Sequence, residues 1–125
     1  MKKIILLLFG LFLFIGCAKP TSFQKMSGKE AQETMAQLED YVIVDVRRKD
    51  EYESGHIPNA ILVPNESIQE GNYAGLEDKE KTYFLYCRSG NRSNQAATKL
   101  TNEGYTNIID MGGIGDWPGE IEGGN

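Results

Sequence analysis

Residues 82–93 read TYFLYCRSGNRS, and this stretch decides which fold the chain adopts. An apolar run of strand-forming residues ends at Cys87, and a short polar turn then leads into a segment with helical spacing. In a parallel α/β sheet, ligands bind beyond the carboxyl ends of the strands. Because Cys87 stands at such an end, the sequence favours a functional site there over a thiol buried only for packing.

The rest of the chain continues this alternation of strands and helices. Ser27 and Glu30 have the spacing of a capping box, and Ala31, Met35 and Leu38 then fall on one face of a predicted helix. The other predicted elements are strands at 41–46, 60–63 and 105–111, a helical turn within 48–55, a short helix within 65–81, and a helix from about 91 to Gly104. This order predicts an α/β domain with a parallel sheet covered on both faces.

The start of the chain differs in composition from the rest. Lys2 and Lys3 precede an apolar run from Ile4 to Gly16, and Cys17 follows. A helix that spans a membrane needs about 20 apolar residues, so this shorter run is typical of an export signal. We predict a signal peptide over residues 1–16, a lipidated tether over 17–21 and one folded domain over 22–125.

The tetrapeptide FIGC at residues 14–17 resembles the lipobox of bacterial lipoproteins, in which the cysteine is lipidated and becomes the new N-terminus. Phe14 stands where that motif usually has leucine. Lipid on Cys17 would hold the domain on a membrane of the cell envelope, facing outside the cytoplasm. An uncleaved membrane anchor is the alternative.

Composition excludes some functions and makes the thiol unusual. The chain has 125 residues and a formal net charge of −5, which makes it a poor candidate for nucleic-acid binding. No grouping of Cys, His and Asp has metal-ligand spacing, and no glycine-rich phosphate loop is present, so we expect no metal and no cofactor. With Cys17 lipidated, Cys87 is the only free thiol and no internal disulfide can form.

The turn CRSGNRS has the chemistry of an activated nucleophile. A thiolate is the reactive form of cysteine, and a helix N-terminus with nearby arginines favours it. The first N–H groups of the following helix lack backbone partners, and Gly90 has the backbone freedom that a tight turn requires. Arg88 and Arg92 add positive charge to an acidic chain, which indicates an anionic ligand.

Four segments in this order resemble the rhodanese family of single-domain sulfurtransferases. They are DVR (45–47), EYESGHIPNAILVP (51–64), the CRSGNRS turn and GGIGDWPGE (112–120), and the resemblance covers about residues 22–121. It implies a rhodanese-like α/β fold, with a five-stranded parallel sheet flanked by helices on both faces. It also implies that Cys87 is the catalytic nucleophile. The residues implied to hold the persulfide are Arg88, Ser89, Gly90, Asn91, Arg92 and Ser93.

The same resemblance implies a reaction and roles for other residues. Cys87 takes a sulfur atom from a small anionic donor such as thiosulfate, and the persulfide passes it to cyanide or a thiol. Asp45 and Arg47 are expected to form an ion pair that supports neighbouring loops, and His56 to hydrogen-bond loop backbone instead of acting as a base. Glu51 and Trp117 are expected to be structural, and the protein to be a monomer.

Three other readings stay open. Phosphatases and arsenate reductases of the same fold also use a Cys-to-Arg loop, but theirs has five intervening residues and this one has four, Arg88 to Asn91. A non-catalytic binding or sensing module of this fold usually lacks the cysteine that is present here. A lipid-anchored persulfide carrier that relays sulfur to a partner protein cannot be distinguished from an enzyme by sequence.

Overall fold

The computed structural model describes residues 22–123, which form five strands, four α-helices and one 3₁₀ turn. The strands are β1 (Gln24–Lys25), β2 (Val42–Asp45), β3 (Ile61–Leu62), β4 (Thr82–Cys87) and β5 (Asn107–Gly113). The helices are α1 (Gly28–Met35), α2 (Lys49–Glu53), α3 (Asn65–Gln69) and α4 (Asn91–Asn102), and the 3₁₀ turn is Ile114–Asp116. The predicted signal peptide, Cys17 and the tether lie outside the described residues.

All five strands are parallel, in the order β1-β5-β4-β2-β3. The expected five-stranded parallel sheet is therefore confirmed. Residue patterns had indicated four of these strands, and β1 was missed. It has only two residues, both exposed, and it exists because Gln24 and Lys25 pair with Ile109 and Asp110 of β5.

Apolar side chains cover both faces of the sheet, as expected. Successive side chains of a strand point to opposite faces, so β4 contributes to two cores. Tyr83, Leu85 and Cys87 pack in the core that includes residues of α3 and α4, whereas Phe84 and Tyr86 pack in the core that includes residues of α1. This alternation directs Cys87 to the α4 side of the sheet.

Helix α1 begins with the predicted capping box and ends earlier than predicted. The Glu30 N–H donates to Ser27 Oγ at 3.1 Å, and the Ser27 N–H donates to Glu30 Oε1 at 2.9 Å. The prediction that Leu38 lies on the buried face is wrong, because it is 36% exposed. The helix ends at Met35, and the N–H of Leu38 bonds to the Met35 carbonyl three residues back, so the chain turns more tightly and leaves the apolar stripe.

Strand β5 contains an irregularity next to the end of β4. Leu85 pairs with Asp110 and Cys87 with Gly113, so β5 has one residue more than β4 across this interval. A bulge of this kind bends a strand and re-aims its side chains. Gly112 has a φ of +79°, which an L side chain rarely adopts, and its N–H donates to Asp110 Oδ1 at 2.9 Å. The bulge therefore fixes the direction of the Asp110 carboxylate.

No helix within residues 22–123 is long and apolar enough to cross a membrane.

Candidate active site

Cys87 is the last residue of β4, and the turn that follows folds back over its sulfur. Gly90 has a φ of +103° and caps the N-terminus of α4, and its N–H points at Cys87 Sγ at 2.9 Å. Only glycine takes this backbone conformation without strain, which is why the turn can place an N–H on the sulfur. Cys87 itself is 0% exposed.

Helix α4 supplies further donors behind this turn. Its first turn includes Asn91, Arg92 and Ser93, whose N–H groups have no carbonyl of the helix to which they can donate. They also lie at the positive end of the helix dipole. A sulfur atom with negative charge at Cys87 would therefore have the Gly90 N–H as a donor and lie in the favourable field of the helix N-terminus.

Five of the six predicted loop residues separate into two groups, and the sixth, Arg92, has other contacts. Gly90 and Ser93 hydrogen-bond to the Cys87 sulfur, whereas Arg88, Ser89 and Asn91 are exposed. Ser93 is 0% exposed, and its Oγ lies 3.6 Å from Cys87 Sγ and 2.7 Å from Asp110 Oδ1. Sulfur, hydroxyl and carboxylate therefore form one continuous hydrogen-bonded chain.

Arg92 is held by a carboxylate of helix α2. Its Nη1 and Nη2 donate to Glu51 Oε1 and Oε2 at 2.7 and 3.1 Å. A planar two-bond contact of this type is among the stronger charge-assisted pairs in proteins. The hydrogen bonds from Arg92 lower the pKa of Glu51 to about 2, and the same bonds raise the pKa of Arg92 above its ordinary value. Glu51 therefore connects α2 to the cysteine turn.

The two arginines of the turn occupy different surroundings. Arg88 is exposed, and its side chain forms no hydrogen bond or ion pair with the part of the chain that the structure describes. Arg92 instead lines a small cavity of about 120 Å³ together with Arg47 and Arg48. Glu66 lines the same cavity, and each of the three arginines is also paired with a carboxylate outside its lining.

Asp45 and Arg47 form a buried pair at the end of β2, the next strand in the sheet. Arg47 Nη2 lies 2.8 Å from Asp45 Oδ2 and also donates to the Gly55 carbonyl at 2.7 Å. Tyr86 donates its hydroxyl proton to Asp45 Oδ2 at 2.8 Å, and its oxygen accepts the Ile57 N–H at 3.1 Å. Burial raises the pKa of the Tyr86 phenol above its ordinary value. This network ties the loop at 54–57 to β2 and β4.

His56 lies in that same loop, and its ring contacts backbone and an aromatic face. Its Nδ1 is 2.9 Å from the Tyr52 carbonyl, and the ring stacks on Tyr52 with centroids 3.8 Å apart. Its backbone pairs with Glu122 in an isolated antiparallel bridge. The structure thus places His56 among loop contacts.

Two residues of the site were missed by sequence reasoning, namely Asp110 and Tyr86. Asp110 is the only charged residue inside the apolar segment YTNIIDM, and a charge within a buried strand is unusual enough to mark a site. Tyr86 carried no comparable signal, because an aromatic residue in a strand is normally part of the core. Only its 2.8 Å bond to Asp45 reveals its contribution.

Comparisons with known proteins show which proteins this chain is similar to. Residues 27–120 match the model of the rhodanese-like domain family. The thiosulfate sulfurtransferase GlpE of Coxiella burnetii is 35% identical over 96 residues, which are 76% of this chain and 87% of that protein.

The thiosulfate sulfurtransferase PspE of Escherichia coli is 34% identical over 73 residues, or 58% of this chain and 70% of that protein. A solved structure described as a rhodanese with anions from E. coli superposes with a TM-score of 0.62 at 31% identity, covering 67% of this chain and 99% of that one.

Proposed function

Because this chain belongs to the family of rhodanese-like domains, we propose that it is a sulfurtransferase that carries sulfur as a persulfide on Cys87. The donor is thiosulfate or a similar small anion with a transferable sulfur, and the acceptor is cyanide or a thiol. The observation that carries the proposal is the Gly90 N–H at 2.9 Å from Cys87 Sγ, at the N-terminus of α4. The names of the two sulfurtransferase relatives also support it.

In the first half-reaction, the Cys87 thiolate attacks the outer sulfur of thiosulfate. A new S–S bond forms, the S–S bond of the donor breaks, and its electron pair leaves with sulfite. The terminal persulfide sulfur is negatively charged, and the N–H groups of the turn and of the first turn of α4 stabilise it. In the second half-reaction, the acceptor binds that sulfur and the electron pair of the broken bond returns to Cys87.

The donor approaches from the side of Arg92. The 120 Å³ cavity is small, and its lining has three arginines, Arg47, Arg48 and Arg92, against one carboxylate, Glu66, a balance that suits a small anion. Because Cys87 is 0% exposed, the turn or a neighbouring side chain must shift before the donor reaches the sulfur. The arginine cavity holds the anion close to the turn while this opening occurs.

The sequence fits a protein that is located on the outer side of a membrane. The run Ile4–Gly16 followed by Cys17 supports a cleaved signal and a lipid anchor, and the domain then faces the periplasm or the extracellular surface as a monomer. Its formal charge of −5 does not suit nucleic acid as a partner.

Mass spectrometry of the purified protein tests the proposed chemistry. Incubation with thiosulfate should add the mass of one sulfur atom to the peptide that contains Cys87, and added cyanide should remove it and release thiocyanate. Cys87→Ser should show neither change while it melts at the same temperature as the wild type. If thiosulfate leaves the wild-type mass unchanged, thiosulfate is not the donor and the proposal in this form is wrong.

A further inference from the structure

The carboxylate of Asp110 lies buried beside the site, and among the described residues no cation neutralises it. Asp110 is 3% exposed, and no ion pair within residues 22–123 includes it. Its Oδ1 accepts hydrogen bonds from Ser93 Oγ at 2.7 Å and from the Gly112 N–H at 2.9 Å. A buried carboxylate held only by neutral donors is costly, so it requires an explanation beyond packing.

Ser93 stands between this carboxylate and the nucleophile. A serine hydroxyl has one proton to donate and two lone pairs that accept. The 2.7 Å distance to Asp110 Oδ1, shorter than the 3.2 Å to the Gly90 carbonyl, directs that proton to Asp110. The Ser93 oxygen is then free to accept the Cys87 S–H across 3.6 Å. In this arrangement Ser93 Oγ links the Cys87 sulfur to the Asp110 carboxyl group.

Ionisation of Cys87 in this arrangement would place two negative charges at the ends of one hydroxyl group. Two negative charges at so short a separation in a buried site repel each other strongly. One proton is therefore shared between the two groups. We propose that Asp110 takes the Cys87 proton through Ser93 and holds it for as long as Cys87 carries the persulfide. The inference rests on the proposed function and assigns Asp110 as its proton-holding residue.

The proton balance closes over both half-reactions. When Cys87 attacks the donor, its proton passes to Ser93 Oγ, the former Ser93 proton passes to Asp110 Oδ1, and sulfite leaves with the electron pair of the broken S–S bond. The negative charge thus moves from Asp110 to the persulfide. When the acceptor takes the outer sulfur, the electron pair returns to Cys87, which regains a proton from Ser93 as Ser93 regains one from Asp110. The buried site has the same net charge throughout.

Asp110 faces a different cavity from the one assigned to the donor. It lines a separate cavity of about 580 Å³, which is bordered by Ser89, Gly90 and Asn91 of the cysteine turn and shares no lining residue with the arginine cavity. The other charged residues of this cavity are Lys25 of β1, Glu30 of α1 and Asp116 of the 3₁₀ turn. The proton is therefore held beside a cavity that a donor in the arginine cavity does not occupy.

Infrared difference spectroscopy with and without a sulfane donor tests this inference. Loading of the wild type should remove the S–H absorption of Cys87 and produce a protonated-carboxyl absorption, which isotope-labelled aspartate should shift. Asp110→Asn keeps an oxygen that accepts from Ser93 but cannot take a proton. It should lose the new absorption and form persulfide about 10²-fold more slowly. Ser93→Ala should resemble Asp110→Asn, and Ser93→Thr, which keeps the hydroxyl, should resemble the wild type.

Asp116→Asn is the matched control, because it makes the same change in the same cavity without contact to Ser93. It should behave as the wild type. Mass spectrometry with thiosulfate and with benzenethiosulfonate, a more reactive donor, separates the two proposals. If only benzenethiosulfonate loads Cys87, thiosulfate is not the donor, and the relay is still tested on the loaded protein. Loaded protein without a new carboxyl absorption overturns the relay alone, and no loading by either donor overturns both proposals.

Discussion

The pair formed by Glu51 and Arg92 places a charge next to the nucleophile and also fixes a loop. Arg92 begins α4 and lines the arginine cavity, while Glu51 belongs to α2 and has a side chain that is 13% exposed. The N–H of Arg48 also donates to Glu51 Oε1 at 3.0 Å, so the carboxylate holds both its own helix and the cysteine turn. Removal of Glu51 should therefore affect stability and activity together.

Glu51→Gln should lower the free energy of unfolding by about 1 to 3 kcal/mol at neutral pH. The substitution removes a carboxylate whose pKa is lower in the folded protein than in the unfolded chain, and such a carboxylate stabilises the fold when it is ionised. The pKa of Glu51 falls from an ordinary value of 4.5 to about 2 on folding. The stabilisation is thus complete above about pH 4.5 and is lost as the pH falls toward 2. Urea unfolding of both proteins across this range measures the difference, which should shrink on acidification.

Asp50→Asn is the control for this prediction. Asp50 pairs with Arg48 on the surface, with its side chain 71% exposed, and pairs of that kind contribute little to stability. The Asp50→Asn protein should unfold at nearly the wild-type urea concentration at every pH. A Glu51→Gln protein as stable as the wild type at neutral pH would show that the Arg92 pair does not stabilise the fold.

The turn between β4 and α4 forms a ring around the Cys87 sulfur, and we expect the size of this ring to select the ligand. Four residues separate Cys87 from Arg92, and the positive φ of Gly90 lets so short a segment return an N–H to the sulfur. We expect a ring of this size to suit a single sulfur atom, and a ring with one residue more to accommodate a tetrahedral anion.

Insertion of one glycine after Gly90 should slow persulfide formation by about 10²-fold, because it moves the N–H groups of α4 away from the sulfur. The larger ring should begin to admit phosphate esters. Insertion after Gly71, a position with open space around its Cα, is the control and should change neither activity. Rapid hydrolysis of a phosphate ester by the unaltered protein would assign a different chemistry to this fold.

At the scale of the whole molecule, the sheet order brings distant segments to one edge. Because β5, β4 and β2 are neighbours, the pair at 45 and 47 and the thiol of Cys87 lie at the carboxyl ends of adjacent strands, and Asp110 lies next to them where the bulge of β5 begins. Such an edge is where parallel sheets bind ligands. The residues of the candidate site all lie within 22–123, so the proposed attachment to a membrane is a separate question.

Cys17→Ser should release the protein from the membrane fraction, because a lipid anchor requires that thiol. Cell fractionation and gel mobility measure the change. Cys87→Ser, the substitution of the other cysteine, should leave the protein in the membrane fraction. If Cys17→Ser protein stays with the membrane at unchanged mobility, the run Ile4–Gly16 is an uncleaved anchor and not a signal peptide.

The α/β class and the position of Cys87 between a strand and a helix were both predictable, because local patterns carry them. A strand, a cysteine and a helix start follow one another in TYFLYCRSGNRS, so the position of Cys87 at the helix N-terminus requires no long-range information. Strand β1 was not predictable in this way, since two exposed residues have no pattern of their own. The exposure of Leu38 was also hidden, because a tighter turn after Met35 interrupts the helical period.

The sequence by itself determined the α/β class, the parallel sheet and the cysteine turn, because hydrophobic periodicity and turn residues act between neighbours along the chain. Only the tertiary structure decided which groups meet the thiol. Glu51 reaches Arg92 across 41 positions, and Asp110 reaches Ser93 across 17, through contacts that depend on strand order and on the bulge in β5. The chemistry of the site depends on the distances between these side chains in space. Their separations along the chain do not predict those distances.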